Sequence, residues 1–307
     1  MKNILITEFM NEDSVNLLKK NFYVNYDKTM FESEEKIKKE ISNCEAIIVR
    51  NKTQLQKYIL DNALNLKFVG RLGVGLDNID KEYCEKKNIH VQTATGMNAD
   101  SVAEYVIGSS LYLIKNIILF DNNTKKGLWP RSSFTSNELK DKIFGLIGFG
   151  AIGKKVCKLA KNFGAKVISY DPYINSNLEN EFNLKFTTFE EVIKTSNIIS
   201  IHVPLNEETK NLINSNVFNK MSKKPILINT SRGSIVNEKD LIDAYKNKNI
   251  SGFALDVFGK EPVEDNFYKK IDDTFNCILT PHISGVTQES NKKISEFITN
   301  KLITFFN

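Results

Sequence analysis

The chain has 307 residues, of which 41% are hydrophobic and 26% charged. That is the composition of an ordinary globular protein, long enough for two domains and for a core that needs no disulfide or metal support. The 42 bases and 37 acids nearly balance, with no basic block that would point to nucleic acid, and no apolar run approaches the ~18 residues of a membrane span.

The opening MKNILITEFMNEDSV is interrupted by Glu8, Asn11, Glu12 and Asp13, so it reads as a first strand rather than a leader peptide. Strands are expected at 3–7, 22–25, 46–49, 67–72 and 89–92, with helices at 11–20, 34–41 and 79–87. Segment 100–120 is apolar and free of proline. It reads as one long helix of roughly 30 Å at 1.5 Å per residue, a connector between domains, with Asn98 or Asp100 as its cap. The alternation then restarts with strands at 143–147, 166–170, 198–202, 226–229, 251–255 and 276–279, and an amphipathic helix at 288–306 closes the chain. Strands alternating with helices of this size imply parallel βαβ units, an α/β fold. Cys44, Cys84, Cys157 and Cys277 show no CxxC spacing. They read as buried, reduced thiols of a cytoplasmic protein, with no metal site expected.

The strongest motif is Gly148-Phe149-Gly150-Ala151-Ile152-Gly153, which follows the strand KIFGLI and opens a helix. The next strand, KVISY, ends in Asp171, 18 residues beyond Gly153, near the ~20 of a dinucleotide fold. Gly148 permits the tight turn, Gly150 the approach of a pyrophosphate, and Gly153 close packing of helix on strand. The amides of the helix N-terminus attract the anion. Asp171 would accept ribose hydroxyls and repel a 2′-phosphate, and residues 172–176 hold no base to receive one. NAD is therefore expected rather than NADP. A second glycine cluster, Gly70-Arg71-Leu72-Gly73-Val74-Gly75, reads equally as a carboxylate nest or as a plain βα turn.

Only His90, His202 and His282 are available as imidazole acid–base groups. Ligands in open α/β sheets bind beyond the carboxyl ends of strands. His282, in TPHISG, has the best position there, and His202, in IHVPL, the second best. Arg232 in NTSRG and Glu261 in FGKEP also follow strand ends. Only four of the 42 bases are arginine (Arg50, Arg71, Arg131 and Arg232). In so lysine-rich a chain the survivors are candidates for roles that need a planar, bidentate fork.

GFGAIG with Asp171, IHVPL, INTSRGSIVNEKDL, ALDVFGKEP and TPHISG together resemble the D-2-hydroxyacid dehydrogenase family over essentially the whole length. The resemblance implies two doubly wound domains. One is a smaller flavodoxin-like substrate domain (1–97 plus 285–307), the other a Rossmann NAD-binding domain (98–284). It implies that Arg232, Glu261 and His282 are catalytic, and that Ala151 and Ile152 meet the pyrophosphate. His202, Val203, Pro204, Thr230, Ser231, Arg232, Asp256, His282, Ser284 and Gly285 would line the cofactor. Arg50, Arg71, Val74, Gly75, Asn98 and Arg131 would bind a small anionic 2-hydroxy or 2-oxo acid. It also implies a homodimer around the long helix and Gly127-Leu128-Trp129.

GRLGVGLDNID, VRN and GLW look like phosphoglycerate dehydrogenases, whereas ITEFMNE, VRNKTQ and PHISGVTQESN look closer to sulfolactate dehydrogenases. With Arg232 assigned to the substrate carboxylate, three arginines remain for a second anionic group. A 3-phosphoglycerate type is expected, with a sulfolactate type close behind. The alternatives are a hydroxypyruvate, glyoxylate or lactate-type reductase and, from another class, an NAD-sensing corepressor-like binding protein. Formate oxidation fits poorly, because Glu261 stands where those relatives carry Gln.

Overall fold

The computed structural model describes residues 1–132, 135–174, 177–263, 268, 271 and 275–307. It divides into two compact units, 1–98 with 286–307, and 99–285. The first unit opens with β1 (Asn3–Ile6), α1 (Glu12–Asn21), β2 (Tyr23–Tyr26), α2 (Glu34–Ile41) and β3 (Ala46–Val49). It continues with α3 (Lys57–Leu60), β4 (Phe68–Arg71), α4 (Lys81–Lys86) and β5 (His90–Thr93). Local chemistry sets the helix starts. Asn11 Oδ1 accepts Ser14 N ahead of α1 and Ser33 Oγ accepts Lys36 N ahead of α2, with acids in each first turn and lysines in each last, as the helix dipole favours.

The second unit begins with α5 (Ala99–Ile114) and α6 (Ile117–Lys125). The single long helix expected over 100–120 is thus two helices, bent by 60°. The chain turns at Asn116, whose φ of 52° lies in the left-handed region that asparagine tolerates. The cap also differs: Asn98 Oδ1 is buried with no hydrogen-bond partner among the described residues. Asp100 lies inside the first turn of α5 and takes Lys155 Nζ at 2.7 Å. There follow β6 (Ile143–Ile147), α7 (Ala151–Asn162), β7 (Lys166–Tyr170), α8 (Asn177–Phe182), β8 (Lys185–Phe186), α9 (Phe189–Thr195) and β9 (Ile198–Ile201). Then come α10 (Ser215–Phe218), β10 (Ile226–Asn229), α11 (Glu238–Lys246), β11 (Gly252–Leu255) and β12 (Cys277–Leu279). The chain returns to the first unit as α12 (Gln288–Phe306), capped by Thr287 Oγ1 on Ser290 N.

All strand pairings are parallel. The first sheet runs β2-β1-β3-β4-β5, the flavodoxin-like order, and the second runs β12-β11-β10-β9-β6-β7-β8, the Rossmann order with one strand added. The α12 helix seals the first sheet: Ile294, Ile298 and Leu302 pack with Ile4, Ile6, Ile48 and Phe68. In the second unit β6, β9, β10 and β11 are buried almost throughout, as parallel strands covered on both faces must be. All four cysteines are buried and free. Among the described residues no single helix is long and apolar enough to cross a membrane.

Glu8, just past β1, is 3% exposed. Its carboxylate accepts the amides of Arg50 (2.8 Å), Lys52 (3.0 Å) and Thr53 (2.9 Å), and so shapes the loop after β3. Glu8→Ala would leave three donors without this acceptor. An unsatisfied buried donor costs ~1–3 kcal/mol, so we expect a loss of about 3 kcal/mol, read as a lower urea midpoint. A loss below about 1 kcal/mol, ordinary for a surface change, would show that water replaces the carboxylate.

Candidate active site

The second sheet reverses direction of winding at β6 and β9, and the crevice at such a switch point is where α/β sheets take ligands. Gly148 follows β6 with φ +95°, and a Cβ there would lie 2.5 Å from His202 O, which follows β9. Only glycine permits this turn. A Cβ on Gly153 would meet Gly148 O at 2.5 Å, whereas one on Gly150 would meet nothing within 4 Å. The turn is therefore closed beneath and open above Gly150, where α7 begins with no side chain capping its amides. Two buried polar atoms at neighbouring strand ends, His202 Nδ1 and Thr230 Oγ1, have no hydrogen-bond partner among the described residues. Open space over uncapped helix amides and orphaned polar atoms beside it fit a dinucleotide.

Asp171, at the end of β7, accepts Phe149 N at 2.8 Å and Tyr173 N at 3.0 Å. It holds the glycine turn, and each carboxylate oxygen keeps a second acceptor site. His202 Nε2 lies 3.0 Å from Ser200 Oγ. Burial pushes its imidazole down to about 3, so at neutral pH it is uncharged. Ser231 Oγ donates to Ile201 O at 2.5 Å, tying the ends of β10 and β9. Val203 is half-buried and Pro204 exposed, with Pro204 O accepting Thr209 Oγ1.

The next three strand ends bring the triad together. Arg232 follows β10, Glu261 follows β11 and His282 follows β12, and these strands are neighbours. A Cβ on Gly233 would overlap Phe258 and Gly259 backbone atoms within 2.4 Å, so this glycine lets the arginine loop lie against the glutamate loop. Arg232 Nη1 donates to Ser231 O at 2.6 Å. Glu261 Oε1 accepts Phe258 N at 2.9 Å and Glu261 Oε2 lies 2.7 Å from His282 Nδ1. Burial works against ionisation of Glu261. The His282 hydrogen bond, the Phe258 amide and the charges of His282 and Arg232 outweigh it and hold the carboxyl below its usual value. With Nδ1 turned to a carboxylate, His282 presents Nε2 as its second working nitrogen.

Asp256, expected at the nicotinamide side, is fully buried, and its oxygens are engaged by residues 280, 283 and 284. Its observed contacts are with the loop that carries His282. Ser284 is buried, and its carbonyl accepts Ser101 Oγ at 2.7 Å. Ser101, Tyr105 and Thr280 escaped sequence reading. Their one signal is two hydroxyls four residues apart on α5, a helix that also carries Asp100, Glu104, Ser109, Ser110 and Tyr112.

The remaining arginines fare differently. In the first unit, Arg50 Nη2 donates to Asn291 Oδ1 on α12 at 2.8 Å, and burial lowers its guanidinium, opposed by Glu8. Arg71 folds back on its own turn, with Nη1 on Leu72 O at 3.0 Å, while Val74 is exposed and Gly75 half-buried. In the second unit, exposed Arg131 lines a cavity of about 250 Å³ with Phe120, Pro130 and Ser136.

Residues 107–284 match the model of the D-isomer specific 2-hydroxyacid dehydrogenase NAD-binding domain. The chain is 35% identical to the (S)-sulfolactate dehydrogenase of Chromohalobacter salexigens over 96% of this chain and 95% of that one. It is also 35% identical to the D-3-phosphoglycerate dehydrogenase of Archaeoglobus fulgidus, over 98% of this chain but only 56% of that longer one. The D-lactate dehydrogenase of Aquifex aeolicus, solved with NAD and lactic acid, superposes with a TM-score of 0.83 at 29% identity, covering 99% of this chain and 95% of that one. The chain belongs to the D-2-hydroxyacid dehydrogenase family. It is an NAD-dependent oxidoreductase.

The Glu261–His282 contact predicts a pH effect. An ionised Glu261 favours the protonated imidazole, and Glu261→Gln keeps a hydrogen bond but removes that charge. With His282 as the proton donor of the reduction, activity should fall away at lower pH in the variant than in the wild type. A superimposable pH–kcat/KM profile would make Glu261 a loop charge only.

Proposed function

We propose that the chain interconverts a three-carbon 2-hydroxy acid carrying a second anionic group with its 2-oxo acid. A 3-phosphoglycerate type and a sulfolactate type are the two candidates. The observation that carries the reaction is the His282–Glu261 pair at 2.7 Å, held on the loops after β12 and β11, with Arg232 on the loop after the next strand, β10. When bound, NAD supplies the hydride chemistry at C2. In the reductive direction, His282 gives a proton from Nε2 to the substrate's carbonyl oxygen, and in the oxidative direction the neutral Nε2 receives it. Glu261 fixes the ring through Nδ1. Arg232 grips the carboxylate and polarises the carbonyl. Gly150, Ala151 and Ile152 take the pyrophosphate, Gly148 and Gly153 shape the turn beneath it, and Asp171 takes the ribose.

The second anion rests on the arginines. A lactate-like substrate gives Arg50 nothing to bind, whereas a phosphate or sulfonate suits its fork. Asn291 uses one Nη2 hydrogen of Arg50, which leaves other donors for an anion. The full-length likeness to the sulfolactate dehydrogenase supports a sulfonate at least as well as a phosphate.

The test is turnover with NADH and with NADPH on phosphohydroxypyruvate, sulfopyruvate, hydroxypyruvate, glyoxylate and pyruvate. A dianionic substrate and NADH should give the highest kcat/KM. His282→Asn should cut turnover by roughly 10²–10⁴ with NADH binding retained, and Asp171→Ala should relax discrimination against NADPH. Arg50→Lys should lose kcat/KM selectively on the dianion. A wild type that prefers pyruvate or glyoxylate would replace this reading with a simple 2-oxo acid reductase.

We also propose that two copies associate through the α6 region. No residue of α6 is buried, Leu128 is 54% exposed and Trp129 is 77% exposed, an apolar surface that favours a partner. Sedimentation should give a dimer at micromolar concentration, and a monomer there would exclude it.

A further inference from the structure

Asp256 lies at the end of β11 with no exposed surface, and the acid–base chemistry above does not use it. Its Oδ1 accepts Thr280 Oγ1 at 2.6 Å and Ile283 N at 2.8 Å, and its Oδ2 accepts Ser284 N at 2.8 Å. The Thr280 hydroxyl has a single hydrogen, and that hydrogen goes to Asp256. Tyr105 Oη lies 2.6 Å from Thr280 Oγ1, so Tyr105 must be the donor in that contact. The chain of bonds therefore has one direction, from Tyr105 to Thr280 to Asp256. Burial raises the Tyr105 phenol above its ordinary value, with the Thr280 bond opposing and the Asp256 charge adding to the rise, so the phenol keeps its proton. One turn earlier on the same helix, Ser101 Oγ donates to Ser284 O at 2.7 Å.

Segment 280–284 is thus held from α5 at both ends and from Asp256 along its inside. His282 stands between these anchors with φ +55°, a conformation that residues with a side chain rarely adopt, and its amide donates back to Thr280 O at 2.9 Å. A backbone in that region persists where its surroundings over-determine it. Glu261 fixes only one ring nitrogen. The place of the ring itself depends on the loop.

We propose that Tyr105 and Thr280 are positioning residues for His282, setting through Asp256 where its Nε2 stands while touching neither substrate nor cofactor. This rests on the reading of His282 as the proton donor and acceptor.

The test uses the full chain and compares Thr280→Val, Thr280→Ser and Tyr105→Phe with His282→Asn as the reference. Steady-state reduction of the preferred 2-oxo acid is measured beside NADH binding by fluorescence. A small misplacement of a reacting group costs up to about a hundredfold, so Thr280→Val should lower kcat at least tenfold by that same rough measure. KM and NADH affinity should stay near wild type. Thr280→Ser, which keeps the hydroxyl, should recover most of the loss, and Tyr105→Phe should fall in between. In the His282→Asn background, Thr280→Val should cost nothing further, because the group it positions is gone. Should Thr280→Val fail to fold, Tyr105→Phe alone and in the His282→Asn background decides by the same criteria. An unchanged kcat, equal losses in the Val and Ser variants, lost NADH binding, or a full additional loss without His282 would each overturn the inference. A fully active His282→Asn would instead remove the acid–base reading itself, a result distinct from an inactive His282→Asn beside an undamaged Thr280→Val.

Discussion

A carboxylate enclosed at the end of a buried parallel strand must find its hydrogen-bond donors inside the protein. Asp256 finds them in the loop that follows the neighbouring strand, taking one hydroxyl and two backbone amides. That requirement fixes the path of residues 280–284 and, with it, the left-handed backbone of His282. The Glu261–His282 contact can then form from a loop after β11 to a loop after β12, because both loops start from adjacent strands in one register. The same carboxylate therefore underlies the geometry of the Glu261–His282 pair.

The sheet explains why these groups meet at all. In a parallel sheet every strand delivers its following loop to the same edge, so five consecutive neighbours, β6, β9, β10, β11 and β12, send their loops to one rim. Close backbone approach keeps that rim compact. Gly148 lies against His202 O, and Gly233 lies against the Phe258–Gly259 peptide. Residues far apart in the chain are brought within hydrogen-bond range without any single long loop. The neutral, buried His202 and the carboxylate-bound His282 show how two imidazoles at one rim acquire different chemistry from their surroundings alone.

The first unit uses the same device at another place. Glu8 satisfies three amides of the loop after β3, and that loop carries Arg50. The guanidinium is then held by Asn291 from a helix that rejoins this unit at the far end of the sequence. The loop that carries Arg50 and the loop that carries His282 are thus each shaped by a buried carboxylate that organises backbone amides.

The alternation of strands and helices, the parallel α/β class, the glycine turn before α7 and the family resemblance are all legible in the sequence. Each of these is written in local terms: a period of apolar residues, a cap, a glycine spacing, a short motif just after a strand. The sequence also placed Arg232, Glu261 and His282 after successive strands, although not that those strands are neighbours. The single helix read over 100–120 failed because nothing but Asn116 marks the break, and asparagine enters the left-handed region only where the surrounding fold requires it. Tertiary structure alone decided the contacts of Asp256, the anchoring of its loop by Ser101 and Tyr105, and the pairing of Arg50 with Asn291. The partners of Asp256 lie 24 to 28 residues away, and the other three pairs lie 183, 175 and 241 residues apart. A side-chain hydrogen bond over such distances leaves no periodicity in the chain, since it exists only once the backbone has returned to bring donor and acceptor within about 3 Å.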